Sequence, residues 1–171
     1  WSAVWSARDR MMFAIARDVT EAERQAVALR DARDSLERAQ QIARMGAWEY
    51  DLATDELAWS DEVFRIFDVG PGEFAGNFQA FAARVHPEDL ARLQAAQART
   101  IDGGPDLDEE HRIVLPAGRV GYVHERARLL RDDQGRPRKL AGSVQDITER
   151  RLAKLALEQE RGFLRAVLES L

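Results

Sequence analysis

The side chains with the greatest potential for chemistry in this chain of 171 residues are three histidines and the acidic residues near them. His111 and His124 fall on two stretches that are expected to pair as neighbouring strands, with Glu110 and Glu125 beside them. These groups would form a metal site only if the strand register placed them on one face of the sheet. Because two histidines without a fixed third ligand are weak evidence for a metal, no metal site is predicted.

The third histidine has a structural interpretation. His86 precedes Pro87, and proline is tolerated in the first turn of a helix because its missing N–H is not needed there. Capping and packing are therefore expected for His86. Gly103 and Gly104 lack the preceding strand and the lysine of a phosphate-binding loop. No Ser-His-Asp order or close pair of carboxylates converges on a plausible pocket, so the segment is predicted not to be an enzyme.

Composition excludes several other classes of chemistry. The chain contains no cysteine, which excludes disulfides, thiol catalysis, thioether-linked chromophores and cysteine-type zinc sites. The net charge of -5 gives no indication that the chain binds nucleic acid or an anionic membrane. No apolar run approaches the roughly 18 to 20 residues that span a bilayer, and no signal peptide is visible. We expect no direct membrane contact, a cytoplasmic location, and a longer parent protein whose membrane anchor could lie outside this segment.

A short acidic sequence motif occurs twice. Each copy lies where apolar residues change from the alternating spacing of a strand to the spacing of a helix. The two copies are Asp18-Val19-Thr20-Glu21 and Asp146-Ile147-Thr148-Glu149. In the second copy, Asp146 can accept hydrogen bonds from backbone N–H groups or pair with an arginine near the linker, while Thr148 can cap the helix that follows. The residues predicted to form signal junctions between strand and helix are Asp146, Ile147, Thr148, Asp18 and Thr20.

The separation of the two copies suits a whole small domain with its connector. The chain is therefore interpreted as a slice of a tandem array. Residues 1–19 are predicted to be a hairpin, and we favour the C-terminal end of a preceding domain over a piece that packs on this one. Residues 20–45 are predicted to be one linker helix and residues 46–150 the complete module. Residues 151–171 are predicted to be a helix that leads to a following domain.

Both predicted linker helices carry narrow apolar stripes. A stripe this thin cannot cover a globular core, but it suits a two-stranded coiled coil and hence a homodimer. The alternative is an amphipathic helix that folds back on its own domain. In the first helix the heptad positions are Ala22, Leu29, Leu36 and Ala43, and Gly46 is expected to end the helix. In the last helix the 4-3 spacing is carried by Leu152, Ala156, Gln159, Phe163, Ala166 and Ser170.

Between these helices the chain predicts two short strands, a helical middle and three longer strands. Ser60 is expected to cap the first helix of the middle part, and Pro87 to Ile101 form its long helix. This order predicts an α+β fold with a five-stranded antiparallel sheet and helices on one face. The predicted strands cover 47–52, 56–59, 108–115, 120–130 and 137–147.

Residues 46–150 resemble a PAS domain with its C-terminal PAC segment. Each motif alone is weak, but six of them occur in the expected order. They are Gly46-Ala47-Trp48-Glu49-Tyr50-Asp51, Trp59-Ser60-Asp61-Glu62, His86-Pro87-Glu88-Asp89, Glu110-His111-Arg112-Ile113, Asp133-Gln134-Gly135-Arg136-Pro137 and Val144-Gln145-Asp146-Ile147-Thr148-Glu149-Arg150. Members of this family usually have Asp-Gly at one turn, where this chain has Ala117-Gly118. This difference should reshape one hairpin without changing the fold.

The resemblance also bears on cofactors. Haem-binding members use a histidine on or near the long helix, and Pro87 to Ile101 contains none, so haem is not expected. Flavin-adduct photochemistry needs a cysteine. No cofactor is predicted, although non-covalent flavin or a small metabolite stays an alternative because aromatic side chains could wall a ring pocket. The candidate pocket residues are Trp48, Tyr50, Trp59, Phe64, Phe67, Phe78, Phe81, Arg112 and Tyr122.

The resemblance implies a sensory or relay module of a bacterial multidomain signalling protein, which dimerises through its linker helices. In this family the Asp-x-Thr motif resembles a mechanical joint between sheet and helix. The expected effector, in the same chain, is a histidine kinase of a two-component system. The alternatives are a ligand- or flavin-binding sensor of a diguanylate cyclase or phosphodiesterase, and a structural spacer with a fully packed core.

Overall fold

The computed structural model describes the backbone of residues 2–6, 11–15 and 20–169, and the side chains of residues 21–163 and 165. The chain divides into two compact units, Trp1–Ala39 and Gln40–Leu171. In the first unit, β1 (Ser2–Ser6) pairs antiparallel with β2 (Met11–Ile15), which confirms the predicted hairpin. Its turn and Asp18 lie outside the described residues. Its assignment to a preceding domain stays a prediction.

A long helix and a sheet-and-helix module make up the remainder. The sheet has the strand order β4-β3-β7-β6-β5, with every neighbouring pair antiparallel. This confirms the predicted α+β fold. The elements are α1 (Thr20–Ala43), β3 (Met45–Asp51), β4 (Glu56–Trp59), α2 (Asp61–Phe67), α3 (Phe78–Ala82), α4 (Pro87–Ile101), β5 (Leu107–Val114), β6 (Val120–Arg131), β7 (Pro137–Asp146) and α5 (Thr148–Glu169).

The core lies between one face of the sheet and the helices α2, α3 and α4. Alternate residues of each strand point into it, because side chains alternate between the two faces of a strand. The strands contribute Trp48, Leu57, Leu107, Ile113, Val123, Ala127, Leu140 and Val144, and the helices contribute Val63, Phe67, Phe81, Leu93 and Ala96. Each fully buried Val, Leu or Phe side chain contributes about 1.5–3 kcal/mol relative to exposure, so this layer supplies the main driving force for folding.

The incoming helix ends earlier than the sequence suggested. α1 ends at Ala43, because Arg44 adopts a left-handed backbone with φ 47° and its N–H bonds to the Gln41 carbonyl at 3.1 Å. Gly46 therefore does not end the helix but lies in β3, where it is buried. A Cβ at Gly46 would lie 2.4 Å from Val63 Cγ2. The glycine is needed because α2 approaches the strand closely, not because a helix stops there.

Two capping predictions have different outcomes. His86 Nδ1 accepts a hydrogen bond from the Glu88 N–H at 3.3 Å, as expected of a residue that caps α4. Ser60 makes no side-chain cap bond to α2. Its hydroxyl oxygen instead accepts from the Ala47 N–H at 3.0 Å, which ties the start of α2 to β3. Ser60 is thus the N-cap residue of α2 by position, as predicted, but its side chain does not make the capping bond.

The outer edge of β5 is covered by residues 84–89. The Arg112 N–H donates to Asp89 Oδ2 at 2.8 Å, the His86 N–H donates to the Arg112 carbonyl at 2.9 Å, and the Val114 N–H donates to the Arg84 carbonyl at 2.7 Å. The Arg112 guanidinium also donates to both Asp89 oxygens, at 3.0 and 2.8 Å. An exposed edge strand is a template for aggregation, so the Asp89 carboxylate both protects this edge and anchors α4 to it.

Replacing Asp89 with alanine is expected to lower the free energy of unfolding at pH 7 by about 1–2 kcal/mol, because charge-assisted hydrogen bonds to Arg112 are lost. The hydrogen bonds from Arg112 hold the pKa of Asp89 well below its usual range. The stabilisation is therefore complete above the unfolded-state pKa near 4, and is lost as the pH falls through the lower folded-state value. Urea denaturation at pH 7 and pH 3 would measure both effects.

A matched control is Glu88→Ala, which removes another carboxylate from the same arginine. The Glu88 side chain is 73% exposed, and exposed ion pairs contribute only about 0–1 kcal/mol. Equal losses of stability from Asp89→Ala and Glu88→Ala at pH 7 would contradict the role assigned to Asp89.

Candidate functional site

A small, mainly apolar cavity lies in the core between the sheet and helices α2, α3 and α4. It has about 20 Å³ of free volume, which is room for about one group of the size of a water molecule. Half of the lining residues are aromatic, and two polar side chains, Gln97 of α4 and Glu125 of β6, reach the cavity. The lining residues are Trp48, Tyr50, Leu57, Trp59, Val63, Phe67, Phe78, Phe81, Gln97, Glu125, Leu140 and Val144.

The aromatic wall is built from rings in mutual contact. Tyr50 and Phe78 have ring centroids 5.8 Å apart, and Phe78 and Phe81 have centroids 6.0 Å apart. Trp59 packs on Phe67 at 4.7 Å. Tyr50, Trp59 and Phe78 are only half-buried, so this side of the cavity reaches the molecular surface.

Most of the predicted pocket residues meet at this cavity. They are Trp48, Tyr50, Trp59, Phe67, Phe78 and Phe81. Phe64 lies outside the lining, and its ring packs edge-on against Trp59 with centroids 5.4 Å apart. Arg112 and Tyr122 lie at a different place, a surface groove between β5, β6 and α5 that Arg151 and Leu155 also line. The structure therefore brings together the aromatic part of the predicted pocket and not its polar part.

Register explains why Arg112 and Tyr122 are absent from the cavity. They face each other across β5 and β6, and so share one face of the sheet. Their neighbours His111 and Val123 form the adjacent pair and are buried in the core. Because successive residues of a strand point to opposite faces, Arg112 and Tyr122 must point away from the cavity. Arg112 instead holds α4 through Asp89 and contacts Glu88 at 2.9 Å.

Glu125 was not among the predicted pocket residues, although its position in the strand indicated that it faces the core. Val123 and Ala127 mark the buried face of β6, and Glu125 lies between them on that face. The residue is 3% exposed, and its Oε2 atom makes no hydrogen bond within the part of the chain that the structure describes. His111 Nδ1 lies 3.8 Å away. A carboxyl group is thus buried beside an imidazole without a bond between them.

Burial sets the charge of this pair. It raises the pKa of Glu125 to about 8 and lowers the pKa of His111 to about 4, because the charged form of each group is poorly solvated in the core. Between these values both side chains are neutral. At 3.8 Å the two groups are in contact but too far apart for a hydrogen bond.

The histidines do not combine into a metal site. In the register of β5 and β6, His111 pairs with Val123 and Glu110 pairs with His124. His111 consequently faces the core, whereas His124 faces the other side and contacts Asp108. Among the residues that the structure describes, no group of three or more His, Cys, Asp or Glu side chains could hold a metal ion.

The second strand-to-helix junction is built around residues 146–148, where Asp146 accepts a backbone hydrogen bond as predicted and Thr148 takes a different role from the predicted one. Asp146 Oδ1 accepts a hydrogen bond from the Thr148 N–H at 2.9 Å, so the aspartate caps α5. The Thr148 hydroxyl accepts from the Tyr122 N–H at 2.9 Å and donates to the Tyr122 carbonyl at 3.3 Å. Ile147 is buried, and its N–H also bonds to the Tyr122 carbonyl at 2.9 Å. Thr148 thus fastens the start of α5 to β6 rather than capping the helix.

The end of α1 meets the same junction. The Asp146 N–H donates to the Arg44 carbonyl at 2.9 Å, and Gln145 Nε2 donates to the Ala43 carbonyl at 3.1 Å. The Arg44 guanidinium lies 3.9 Å from Asp146 Oδ2 and 3.4 Å from Glu149 Oε2. An arginine beside the linker was expected to pair with Asp146, and Arg44 is that residue. At the first junction, Thr20 begins α1, while Asp18 falls outside the described residues.

Comparison with known proteins identifies the family. A family model described as the PAS fold matches residues 56–144. This chain belongs to the PAS family. A solved PAS-type structure, the sensory box histidine kinase/response regulator of Burkholderia thailandensis, superimposes with a TM-score of 0.65 at 24% identity. The match covers 77% of this chain and 98% of that chain, which confirms the PAS fold.

Two relatives of this PAS chain are named as a sensor protein and a histidine kinase. The sensor protein FixL of Bradyrhizobium diazoefficiens is 30% identical over 127 residues, which cover 74% of this chain and 25% of FixL. A blue-light-activated histidine kinase of Brucella anthropi is 32% identical over 136 residues, which cover 78% of this chain and 27% of the kinase. The chain thus spans about a quarter of the length of these relatives. It is a PAS sensor module of signal transduction.

Within residues 20–169, none of the helices combines the length and the apolar character that crossing a bilayer requires.

Proposed function

We propose that this PAS module senses at its core cavity and relays the result through α5 to an effector in the same chain. The observation that carries the proposal is the set of hydrogen bonds that fasten the start of α5 to the sheet. Thr148 is bonded twice to Tyr122 of β6, and Asp146 at the end of β7 caps the helix. A displacement of β6 or β7 therefore has to move the start of α5, because these contacts are short and partly buried.

The cavity is connected to this junction along two packed routes. Val63 lines the cavity and lies against Gly46 of β3, two residues from Arg44, which contacts Asp146 and Glu149. Glu125 lines the cavity on the same strand that carries Tyr122. Coupling between two sites requires elements with two arrangements that both sites bias. We propose that β6 and the segment joining α1 to β3 are those elements.

We further propose that two copies of the chain dimerise through their linker helices. Large apolar side chains on both helices are exposed: Val27, Leu29, Leu36 and Ile42 on α1, and Leu152, Leu157 and Phe163 on α5. Leu29 is 73% and Phe163 70% exposed. A heptad stripe on a long helix is buried efficiently by a second copy in a coiled coil. Dimerisation would let the relay act as a change of twist or register between paired helices.

The effector that we propose is a histidine kinase, because the Brucella anthropi relative is named as one. In this scheme the PAS segment contributes no catalytic group, and the kinase performs the reaction. A kinase consumes ATP, so we place the module in the cytoplasm. The acidic net charge of -5 argues against nucleic acid as a direct partner.

Deletions in α5 test the relay in the full-length parent protein. Removing residues 156–162, one heptad, should preserve the kinase response to the signal, because the apolar stripe returns to the same face. Removing residues 159–162 should scramble or invert the response, because a four-residue deletion rotates the stripe by about 50°. The measurement is the ratio of autophosphorylation rates with and without signal.

A length-preserving control replaces residues 159–161 with alanine and keeps Gly162. It removes nearly the same side chains as the shorter deletion but keeps the helical phase, so it should respond as the wild type does. Equal responses from the two deletions, or a chain that stays monomeric at high concentration, would refute the coiled-coil relay.

A further inference from the structure

One oxygen of the Glu125 carboxyl group is buried in the cavity wall without a hydrogen bond. This Oε2 atom and the Trp48 Nε1 atom make no hydrogen bond within the described part of the chain, and both residues line the cavity. The two ring nitrogens of His111, whose Nδ1 lies 3.8 Å from Glu125 Oε2, also make none there. The Glu125 side chain is 4% exposed. Buried polar atoms in folded proteins are nearly always satisfied. Because Glu125 lines the cavity, a donor that enters from outside the chain could satisfy its Oε2 atom, which His111 does not reach at 3.8 Å.

The surroundings of this carboxyl favour a cation. Six aromatic side chains line the cavity, and the face of an aromatic ring attracts positive charge. The lining residues include no lysine, arginine or histidine, and Glu125 contributes their only carboxyl group. The fixed charge of the cavity is therefore either zero or negative. An anion would find no counter-charge there, whereas a cation would find a carboxylate and aromatic faces together. The aromatic residues are Trp48, Tyr50, Trp59, Phe67, Phe78 and Phe81.

The dimensions restrict the cation to a small one. The free volume of about 20 Å³ accepts a group of the size of a water molecule. An ammonium head has that size, whereas a trimethylated head does not. The half-buried rings of Tyr50, Trp59 and Phe78 lie on the side nearest to solvent. A short alkyl chain attached to the ammonium head could leave the cavity between them.

We propose that the cavity is a binding site for a small primary ammonium ion, either ammonium itself or a short alkylammonium. Its N–H groups would donate to the Glu125 carboxylate and to the side-chain carbonyl of Gln97, within the aromatic wall. The inference rests on the proposed function, because it names the chemical class of the signal that the PAS cavity receives.

Binding of this cation would release a proton. Burial raises the pKa of Glu125 to about 8, so the free protein holds the proton at pH 6.5. A bound ammonium ion favours the carboxylate, so protonated Glu125 and RNH3⁺ give the ion pair and one H⁺. His111 of β5 faces Glu125 at 3.8 Å and is neutral at this pH, since burial lowers its pKa to about 4. The charges of Asp89 and Arg92 of α4 change the pKa of His111 in opposite directions, since Asp89 raises it and Arg92 lowers it. Tyr50 of β3, whose pKa is raised, is also neutral.

Titration calorimetry of the 171-residue chain with methylammonium chloride tests the site. We expect saturable binding at pH 6.5 and a heat that differs between two amine-free buffers of unequal ionisation enthalpy, which reports release of up to one proton. Glu125→Gln should weaken binding by about tenfold or more, because a charge-assisted hydrogen bond is lost. The exposed Glu56→Gln is the matched control and should bind as the wild type does. Tetramethylammonium should not bind.

The proposal is overturned if methylammonium gives no saturable heat, if Glu125→Gln binds it as tightly as the wild type, or if neutral acetamide binds equally well without proton release. Denaturation of Glu125→Gln establishes that the variant is folded. Failure of the relay is distinguishable, because the α5 deletions are read from kinase output and the calorimetry from the PAS chain alone. A normal result of the deletions with no methylammonium binding would refute the ligand class and leave the relay.

Discussion

Gly46→Ala is expected to destabilise the PAS module by about 2–3 kcal/mol, the upper part of the range for overpacked cores. The added Cβ would lie 2.4 Å from Val63 Cγ2 and 2.7 Å from the Val63 backbone nitrogen. Rotation of the valine side chain relieves only the first contact, so the start of α2 must shift away from β3. Urea denaturation at pH 7 measures the loss of unfolding free energy.

Gly72→Ala is the matched control, because a Cβ there meets nothing within 4 Å and the backbone has no positive φ. It should be neutral or slightly stabilising, since alanine restricts the unfolded chain. Val63→Ala is itself destabilising because Val63 is fully buried, but Gly46→Ala should cost less in the Val63→Ala background than in the wild type. The coupling energy of this double-mutant cycle isolates the side-chain share of the clash. Equal stability of Gly46→Ala and Gly72→Ala would contradict the close approach of α2 and β3.

Much of the fold was predictable because its signals are local. Alternation of apolar residues marked the five strands, and Pro87 with the apolar spacing of the next turns marked α4 with the bounds that the structure has. Gly46 shows where local signals fail. A glycine after a helical pattern predicts a helix end, but here its role depends on Val63, a residue that only the tertiary fold brings near.

The site was predictable to the extent that it consists of aromatic residues. Trp48, Phe67 and Phe81 are buried because of their apolar bulk, and apolar bulk is visible in a sequence. Arg112 was included and Glu125 left out for one reason, which is that strand register decides which face a residue takes. A charged residue in a strand is expected to face solvent. Glu125 is an exception, because it is buried and lines the cavity.

At the predicted signal junction, Asp146 accepts a backbone hydrogen bond and lies beside an arginine as predicted, whereas Thr148 does not cap the helix. Both Asp and Thr can cap a helix, and the sequence offers no way to choose between Asp146 and Thr148. The choice depends on β6, since the Tyr122 backbone occupies the Thr148 hydroxyl and leaves Asp146 to cap α5. Which of two suitable side chains takes a role is thus decided by a strand more than twenty residues away in sequence.

Glu125→Gln is expected to remove a loss of stability that the wild type shows as the pH rises from 6.5 to 8. The folded-state pKa of Glu125 is about 8, and the unfolded-state value is near 4.3. The unfolded chain therefore gives up the proton first, and each pH unit in this window costs the folded state up to about 1.4 kcal/mol. The wild type should lose about 1–2 kcal/mol across the window, while the glutamine variant stays nearly constant.

The pH range of 6.5 to 8 is chosen because, at lower pH, His111 also changes the free energy of unfolding. Burial lowers its pKa to about 4, so its neutral form stabilises the fold above its unfolded-state value near 6.5 and that contribution is lost as the pH falls towards 4. Below pH 6.5 the effects of the two groups oppose each other. Above it the remaining loss of charge from unfolded-state His111 is small and is the same in wild type and Glu125→Gln, so the difference between them reports Glu125. Urea denaturation of wild type, Glu125→Gln and the exposed control Glu56→Gln at pH 6.5, 7.25 and 8 separates them. Parallel pH dependence in wild type and Glu125→Gln would show that the carboxyl is already ionised in the fold, and the proton release expected on ammonium binding would then be absent as well.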